Sequence, residues 1–279
     1  MKKIILNILS ILGLRQLFYI KRKKIKLFYQ LHIRNLFSLY MISQNLNYKS
    51  IPIIIISFNQ LFYLKQMINF LKKHKYKNII IIDNNSTYQP LLDYFDTIES
   101  TVTIHKLNEN LGHLVFWKNK ELFKKYSNGY YVITDPDIVP VENCPTDFVL
   151  HFKKILDRND KIIKVGFSLK IDNIPESNPN RHKVIEWEQQ FWKNKTIDGN
   201  YIADIDTTFA LYKPKYEYKE QVFYKAIRTD KPYEAKHGGW YLDVKNLTEE
   251  QKFYFATCNE SSSWSIDKEG DIKNKILYN

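Results

Sequence analysis

The chain has 279 residues, 44% of them hydrophobic, and its 8 glycines and 9 prolines follow no repeat of fixed period. This composition excludes collagen-like and low-complexity chains and predicts a globular protein with a substantial core. Two cysteines, Cys144 and Cys258, are too few for a disulfide framework and indicate a reducing compartment.

The net charge of +12 is concentrated at the amino terminus. Residues 1–50 hold ten of the 42 Lys and Arg residues and none of the 30 Asp and Glu residues. The rest of the chain is therefore close to neutral and has no basic stripe that could follow a phosphate backbone. We expect no nucleic-acid partner.

The basic segment at residues 1–50 is typical of an amphipathic helix. Its uncharged stretch, residues 4–14, is about half the roughly 20 residues that cross a bilayer, and no small-residue cleavage site precedes the cations of residues 21–24. Such a helix can lie on an anionic membrane surface, which would place a cytoplasmic protein at the inner face of the cell membrane. Alternatively, it packs its apolar face on the body of residues 51–279.

In the body, apolar β-branched runs alternate with helical patterns. Residues 51–57 and 78–83 are typical of strands buried on both faces, and the pattern from Leu61 to Lys73 between them indicates an amphipathic helix. A third strand over 101–107, a helix over 113–126 and a fourth strand over 130–134 follow. This alternation predicts an α/β sheet with right-handed crossovers.

Polar clusters follow each predicted strand, at residues 57–59, 83–86, 108–113 and 135–137. Because ligands of open α/β sheets bind beyond the carboxyl ends of strands, we expect these clusters to converge on one crevice.

The fourth strand leads into Asp135-Pro136-Asp137. Side chains at i and i+2 of an extended segment share a face, so both carboxylates can meet one ion. Mg²⁺ and Mn²⁺ prefer oxygen ligands and complete their shell with substrate phosphates, so the pair predicts a metal–diphosphate site. The alternative is an ordinary turn in which Asp135 caps the backbone and Asp137 is exposed.

The motifs Ile53–Asn59, Ile79–Thr87, Asn108–His113 and Tyr130–Asp137, in this order, resemble the nucleotide-binding half of GT-A glycosyltransferases, most closely the family 2 type. The resemblance covers about 90 residues of this chain. It implies a Rossmann-like mixed α/β sheet, with a nucleotide-binding half over 51–140 and an acceptor-binding half over 141–279.

The resemblance also implies roles for individual residues. Base and donor contacts fall on Ser57, Asn59, Asp83, Asn84, Asn110, Gly112 and His113. Asp135 faces the ribose or the metal, and Asp137 binds the metal and the diphosphate. Lys118-Asn119 is similar to the Arg-Asn of many relatives, shifted by one place.

The acidic pair that supplies the catalytic base in many relatives is missing after Asp137. An inverting transferase needs a base near the acceptor hydroxyl, and the second half offers Asp206 and Glu234. The sequence does not separate these two. Asp206 could instead cap a turn, and Glu234 could pair with a neighbouring lysine.

A second candidate cluster surrounds Gly238-Gly239. His237 is a candidate third metal ligand, as in GT-A enzymes with a late histidine, or an ordinary hydrogen-bonded histidine. Trp240 and Tyr241 could stack on the apolar face of an acceptor sugar.

These features predict a metal-dependent glycosyltransferase, by resemblance an inverting one. It would use Mn²⁺ or Mg²⁺ to move a sugar from a nucleotide-sugar donor to a saccharide or lipid-linked acceptor, in surface polysaccharide or glycolipid assembly. The alternatives are a nucleotidyltransferase, which the absence of a Gly-rich phosphate loop disfavours, and a non-catalytic carbohydrate-binding protein on a degraded GT-A fold.

Overall fold

The computed structural model describes residues 39–259, 265–267, 270, 272 and 273. The chain divides into two units, Met1–Leu46 and Asn47–Asn279. Within the first, the described residues form helix α1 (Leu39–Leu46), and the rest of the predicted amphipathic segment up to residue 38 lies outside the described residues. None of the helices described is long and apolar enough to cross a membrane.

The second unit contains the remaining elements. Its strands are β1 (Ile53–Ser57), β2 (Ile79–Asp83), β3 (Thr103–Lys106), β4 (Tyr131–Thr134), β5 (Ile138–Pro140), β6 (Lys164–Leu169), β7 (Tyr201–Ile202), β8 (Ala210–Tyr212) and β9 (Ala226–His237). Its helices are α2 (Phe62–Lys73), α3 (Gln89–Ile98), α4 (Val115–Lys118), α5 (Lys120–Tyr126), α6 (Phe148–Asp157), α7 (Arg181–Gln189), α8 (Glu220–Phe223) and α9 (Glu249–Thr257).

The described strands form one mixed sheet in the order β3-β2-β1-β4-β8-β6-β9-β5, with β7 paired to β9. Strands β1 to β4 are mutually parallel, whereas β8 is antiparallel to both β4 and β6. The predicted α/β class is confirmed. A parallel half followed by a mixed half is the arrangement expected of a GT-A fold.

Hydrophobic burial explains the parallel half. Every residue of β1 and β2 is buried, as the isoleucine runs predicted. Helix α2 buries Leu64, Met67, Ile68 and Leu71 at helical spacing. The single helix predicted over 113–126 is wrong: Asn119 is extended and its side chain accepts a hydrogen bond from Leu122 N, so it caps α5 and divides the segment into two helices.

The pairing of β4 with β8 brings the two halves of the sheet together. Tyr131 lies opposite Tyr212, and their rings stack with centroids 5.3 Å apart. This pairing brings the segment that precedes β8, which contains Asp206, beside the end of β4, where Asp135 follows.

Candidate active site

A cleft of about 1020 Å³ opens at the carboxyl ends of β1 and β4 and beside the end of β9. Ten of the predicted site residues line it: Asn84, Asn110, Gly112, His113, Asp135, Asp137, Asp206, His237, Trp240 and Tyr241. Four do not: Ser57, Asn59, Asp83 and Glu234. Polar clusters far apart in sequence thus meet in one crevice.

Asp135 and Asp137 lie at the floor of this cleft, where β4 ends and β5 begins. The Thr207 hydroxyl is 3.0 and 2.9 Å from the two carboxylate oxygens of Asp135 and donates to them. Burial, followed by the like charges of Asp137 and Asp206, raises the pKa of Asp135 to about 8, against the lowering effect of Thr207. Nearby positive charge would therefore favour the carboxylate form.

His237 lies directly beside Asp137. Its Nδ1 atom is 3.3 Å from Asp137 Oδ2, and its ring stacks on Trp240 with centroids 4.7 Å apart. Nδ1 is buried and has no hydrogen-bond partner among the described residues. The pairing of β5 with β9, which sets Ile138 opposite His237, determines this position.

The Gly238-Gly239 turn completes the floor. Gly239 N donates to Asp137 Oδ2 at 3.0 Å, and Gly238 N donates to the Asp137 carbonyl at 2.7 Å. A Cβ atom on Gly238 would lie 2.4 Å from the Tyr63 ring, and one on Gly239 would lie 3.0 Å from the His237 ring. A side chain at Gly238 would therefore force the Tyr63 ring to move, and one at Gly239 would press on the His237 ring.

The buried side chains of Asn59 and Asp83 hold the loops around the cleft. Asn59 accepts hydrogen bonds from Thr87 N at 2.7 Å and Tyr88 N at 3.0 Å, and donates to Thr257. Asp83 accepts from the backbone N and hydroxyl of Ser86. The Ser57 hydroxyl is buried without a hydrogen-bond partner in the described part of the chain.

The loop before α4 is joined to the end of β2. Asn84 Nδ2 donates to the Gly112 carbonyl at 3.2 Å, and Gly112 N donates to Asn110 Oδ1 at 2.9 Å. Gly112 has φ 76°, a left-handed conformation that glycine adopts at little cost. This places His113, which is partly exposed, at the cleft wall.

The two candidate bases differ in their position. Asp206 lines the cleft, and its Oδ1 atom is buried with no hydrogen-bond partner among the described residues. Glu234 lies in β9 opposite Ser168 and outside the cleft, where burial raises its pKa against the opposing effects of Lys231 and Lys170. Asp206 is therefore the candidate base with access to a ligand.

The two aromatic candidates for acceptor binding also line the cleft. Trp240 is buried with its ring against His237, whereas Tyr241 is half-buried and its hydroxyl donates to Asn173 Oδ1 at 2.6 Å. Trp187, in helix α7, is half-buried and lines the cleft as well.

Sequence reasoning missed several residues of this region. Arg228 and Glu188 form a buried ion pair on the cleft wall, and the carboxylate of Glu250 accepts from Leu61 N and Phe62 N at the start of α2. Their partners lie far away in the sequence, so no local pattern indicated them. Among these missed residues, Thr207 alone lies next to a predicted site residue in the sequence, Asp206.

The cleft is rich in carboxylates and poor in cations. Its acidic residues are Asp135, Asp137, Glu188, Asp204, Asp206, Asp243, Glu249 and Glu250. Of the described residues that line it, none is a lysine and one is an arginine, Arg228, which pairs with Glu188. Among the described residues, no Lys or Arg side chain forms an ion pair with Asp135 or Asp137.

Asp135, Asp137 and His237 fit a divalent cation whose other ligands are substrate phosphates and water. The described residues contain no group of three or more His, Cys, Asp or Glu side chains arranged as a complete metal site. Asp137 and the unpartnered Nδ1 of His237 nevertheless face each other, and Asp135 adds a second carboxylate. Mg²⁺ and Mn²⁺ sites that use substrate phosphates need no more than this.

No protein-family model matches this chain, and no curated protein sequence is significantly similar to it. Similar solved structures include a mannosyltransferase from Pyrobaculum calidifontis in complex with GDP-Man and Mn²⁺, at 11% identity and TM-score 0.44, over 74% of this chain and 60% of that one. S. aureus TarS (1–349) has 12% identity and TM-score 0.44, over 78% of this chain and 70% of that one.

A cytidylyltransferase from Leptospira borgpetersenii is similar over 50% of this chain and 71% of its own, with 12% identity and TM-score 0.32. The chain thus spans 60% of the length of the mannosyltransferase, less than two thirds. At these identities and scores, what the chain does has to be argued from its own residues.

Proposed function

We propose that this chain is a metal-dependent glycosyltransferase that binds a nucleotide-sugar donor in the cleft between its two halves. The observation that carries the proposal is the convergence of Asp135, Asp137 and His237 at the floor of an acidic cleft without a free lysine or arginine. A donor diphosphate cannot bind such a floor unless a cation lies between. Mn²⁺ or Mg²⁺ would neutralise the diphosphate as it leaves.

In this proposal Asp137 and His237 hold the metal, and Asp135 faces the metal and the ribose. Gly239 N orients the Asp137 carboxylate, and Thr207 orients that of Asp135. The loop joined through Asn84, Asn110 and Gly112, with His113 beside it, forms the donor wall. Ser57, Asn59 and Asp83 support the nucleotide end from behind, since they do not line the cleft.

Asp206 accepts the proton of the acceptor hydroxyl. As that oxygen bonds to the anomeric carbon, the bond from this carbon to the diphosphate breaks and its electron pair leaves with the nucleoside diphosphate. Asp206 is suited to this role because it lines the cleft. Glu234 would reach the acceptor only after a rearrangement of β9, so it is the second candidate.

The acceptor is a saccharide or a lipid-linked saccharide, bound against Tyr241 and the exposed edge of Trp187 in the half over residues 141–279. The basic segment at residues 1–50 would hold the enzyme at an anionic membrane surface, at the cytoplasmic face where lipid-linked acceptors are presented.

Donor hydrolysis tests the proposal. The protein is incubated with a panel of nucleotide sugars and Mn²⁺, with a chelator-treated sample as control. Slow, metal-dependent release of nucleoside diphosphate is expected. Release of pyrophosphate would favour the nucleotidyltransferase alternative, and silence on every donor would favour the non-catalytic binding protein.

A further inference from the structure

Two cations are buried behind the acidic cleft. Lys164, at the start of β6, is 0% exposed, and its Nζ donates to the Asp206 carbonyl at 2.9 Å and to the Tyr212 hydroxyl at 3.2 Å. It lies 3.7 Å from the Phe223 ring centroid and has no ion-pair partner in the described part of the chain. Burying an ammonium without a carboxylate destabilises a fold, so packing alone does not explain this lysine.

Arg228, in β9, makes an equivalent contact with the backbone two residues before Asp206. Its Nε donates to the Asp204 carbonyl at 2.8 Å, its guanidinium pairs with Glu188, and it lies 4.1 Å from the Phe191 ring centroid. Both buried cations therefore donate to backbone carbonyls of one short segment, Asp204–Thr207.

This segment contributes Asp204, Asp206 and Thr207 to the lining of the cleft. The Asp204 and Asp206 side chains line the cleft while their carbonyls face the cations. Thr207 then donates to both oxygens of Asp135. Two carbonyl contacts two residues apart determine both the position and the rotation of the backbone between them.

We propose that Lys164 and Arg228 are positioning residues that hold the Asp204–Thr207 segment, and through it Asp206 and Thr207, in the geometry required for glycosyl transfer. This inference rests on the proposed function.

The test is Lys164→Met, which keeps the length of the side chain and removes the charge. The melting temperature should stay the same or rise, because replacing an unpaired buried charge with an apolar side chain relieves its desolvation. The kcat for donor hydrolysis should fall by about 100-fold, the loss expected when a reacting group moves by an ångström, with KM for the donor nearly constant.

Lys213→Met is the matched control. Lys213 Nζ also donates to two backbone carbonyls, those of Asn159 at 2.8 Å and Asp160 at 3.0 Å, but Lys213 does not line the cleft. Its replacement should leave kcat unchanged. In a double variant with Asp206→Asn, Lys164→Met should slow turnover by much less than it does alone, since most of its effect passes through Asp206.

Arg228 is tested together with its partner, as Glu188→Leu with Arg228→Met, because removing one member would leave a buried unpaired charge. The same loss of kcat at constant KM is expected. If Lys164→Met does not fold, kcat and KM of this double variant test the positioning role instead.

Donor turnover by Lys164→Met within about twofold of Lys213→Met would overturn the inference alone, since the loss expected from misplacement is about 100-fold. A melting temperature that falls with kcat would do the same, because Lys164 would then be a structural residue. A wild-type protein that is silent on every donor would overturn the proposed function and, with it, this inference.

Discussion

His237 and Asp137 face each other across the strand pair β5–β9, with 3.3 Å between His237 Nδ1 and Asp137 Oδ2. They lie 100 residues apart in the chain, and only the pairing of β5 with β9 brings them together. The Nδ1 atom has no hydrogen-bond partner in the structure described, so its lone pair could bind a cation shared with Asp137.

His237→Gln is expected to weaken Mn²⁺ affinity because it removes a nitrogen donor while keeping a side chain of similar length. The loss should be about 10- to 100-fold, as for other residues that support a metal site. Fluorescence quenching by Mn²⁺ titrated into each protein measures it, with His105→Gln as control, a partly buried histidine that bonds Tyr126 instead. Equal affinities in all three proteins would remove His237 from the metal site.

Asp135→Asn should change the dependence of stability on pH in the metal-free protein. The pKa of Asp135 is raised from 3.8 to about 8 in the fold, so the folded state binds this proton more tightly than the unfolded state. Wild-type stability should therefore fall as the pH rises between these two values. The variant lacks this penalty, so its melting temperature relative to wild type should climb over the same window.

Thermal melts in chelator across that pH range measure this effect. The cause in the structure is burial, followed by the charges of Asp137 and Asp206. A difference in melting temperature between the two proteins that stays constant over this pH range would show that the pKa of Asp135 is not raised in the fold.

Asp206→Asn and Glu234→Gln separate the two candidate bases. Asp206→Asn should lower kcat for sugar transfer by about 10²- to 10⁴-fold, the usual contribution of a general base, while donor binding survives. Glu234→Gln should have little effect on transfer because its side chain does not line the cleft. Steady-state transfer assays with each variant measure both, and the reverse ranking would make Glu234 the base.

Gly238→Ala should deform the floor of the cleft, because the new methyl group would lie 2.4 Å from the Tyr63 ring. We expect loss of metal-dependent donor hydrolysis and a lower melting temperature. An overpacked site typically lowers the free energy of unfolding by about 1–3 kcal/mol. Gly199→Ala is a useful contrast, since nothing lies within 4 Å there although its φ of +84° adds backbone strain. Full donor hydrolysis by Gly238→Ala would argue against this contact.

Much of the parallel half could be predicted because its signals are local. The isoleucine runs of β1 and β2 appear within two residues of their predicted bounds. Asp135 and Asp137 could be placed at the end of β4 for the same reason.

The side-chain partners could not be predicted, since they come from distant positions. Asn59 bonds Thr257, 198 residues away, and this contact uses its amide for the loops rather than for the cleft. Lys164 begins a strand and could equally have been a solvated strand end. Only the pairing of β8 with β6 places it beneath Asp206.

Calorimetry with Mn²⁺ and a range of nucleoside diphosphates tests the central claim most directly, because it requires neither the right sugar nor the acceptor. The account predicts that a nucleoside diphosphate binds wild-type protein only when Mn²⁺ is present, and that Asp137→Asn weakens this binding by about 10- to 100-fold. Binding of equal strength in chelator, or no binding of any nucleotide with Mn²⁺, would contradict it.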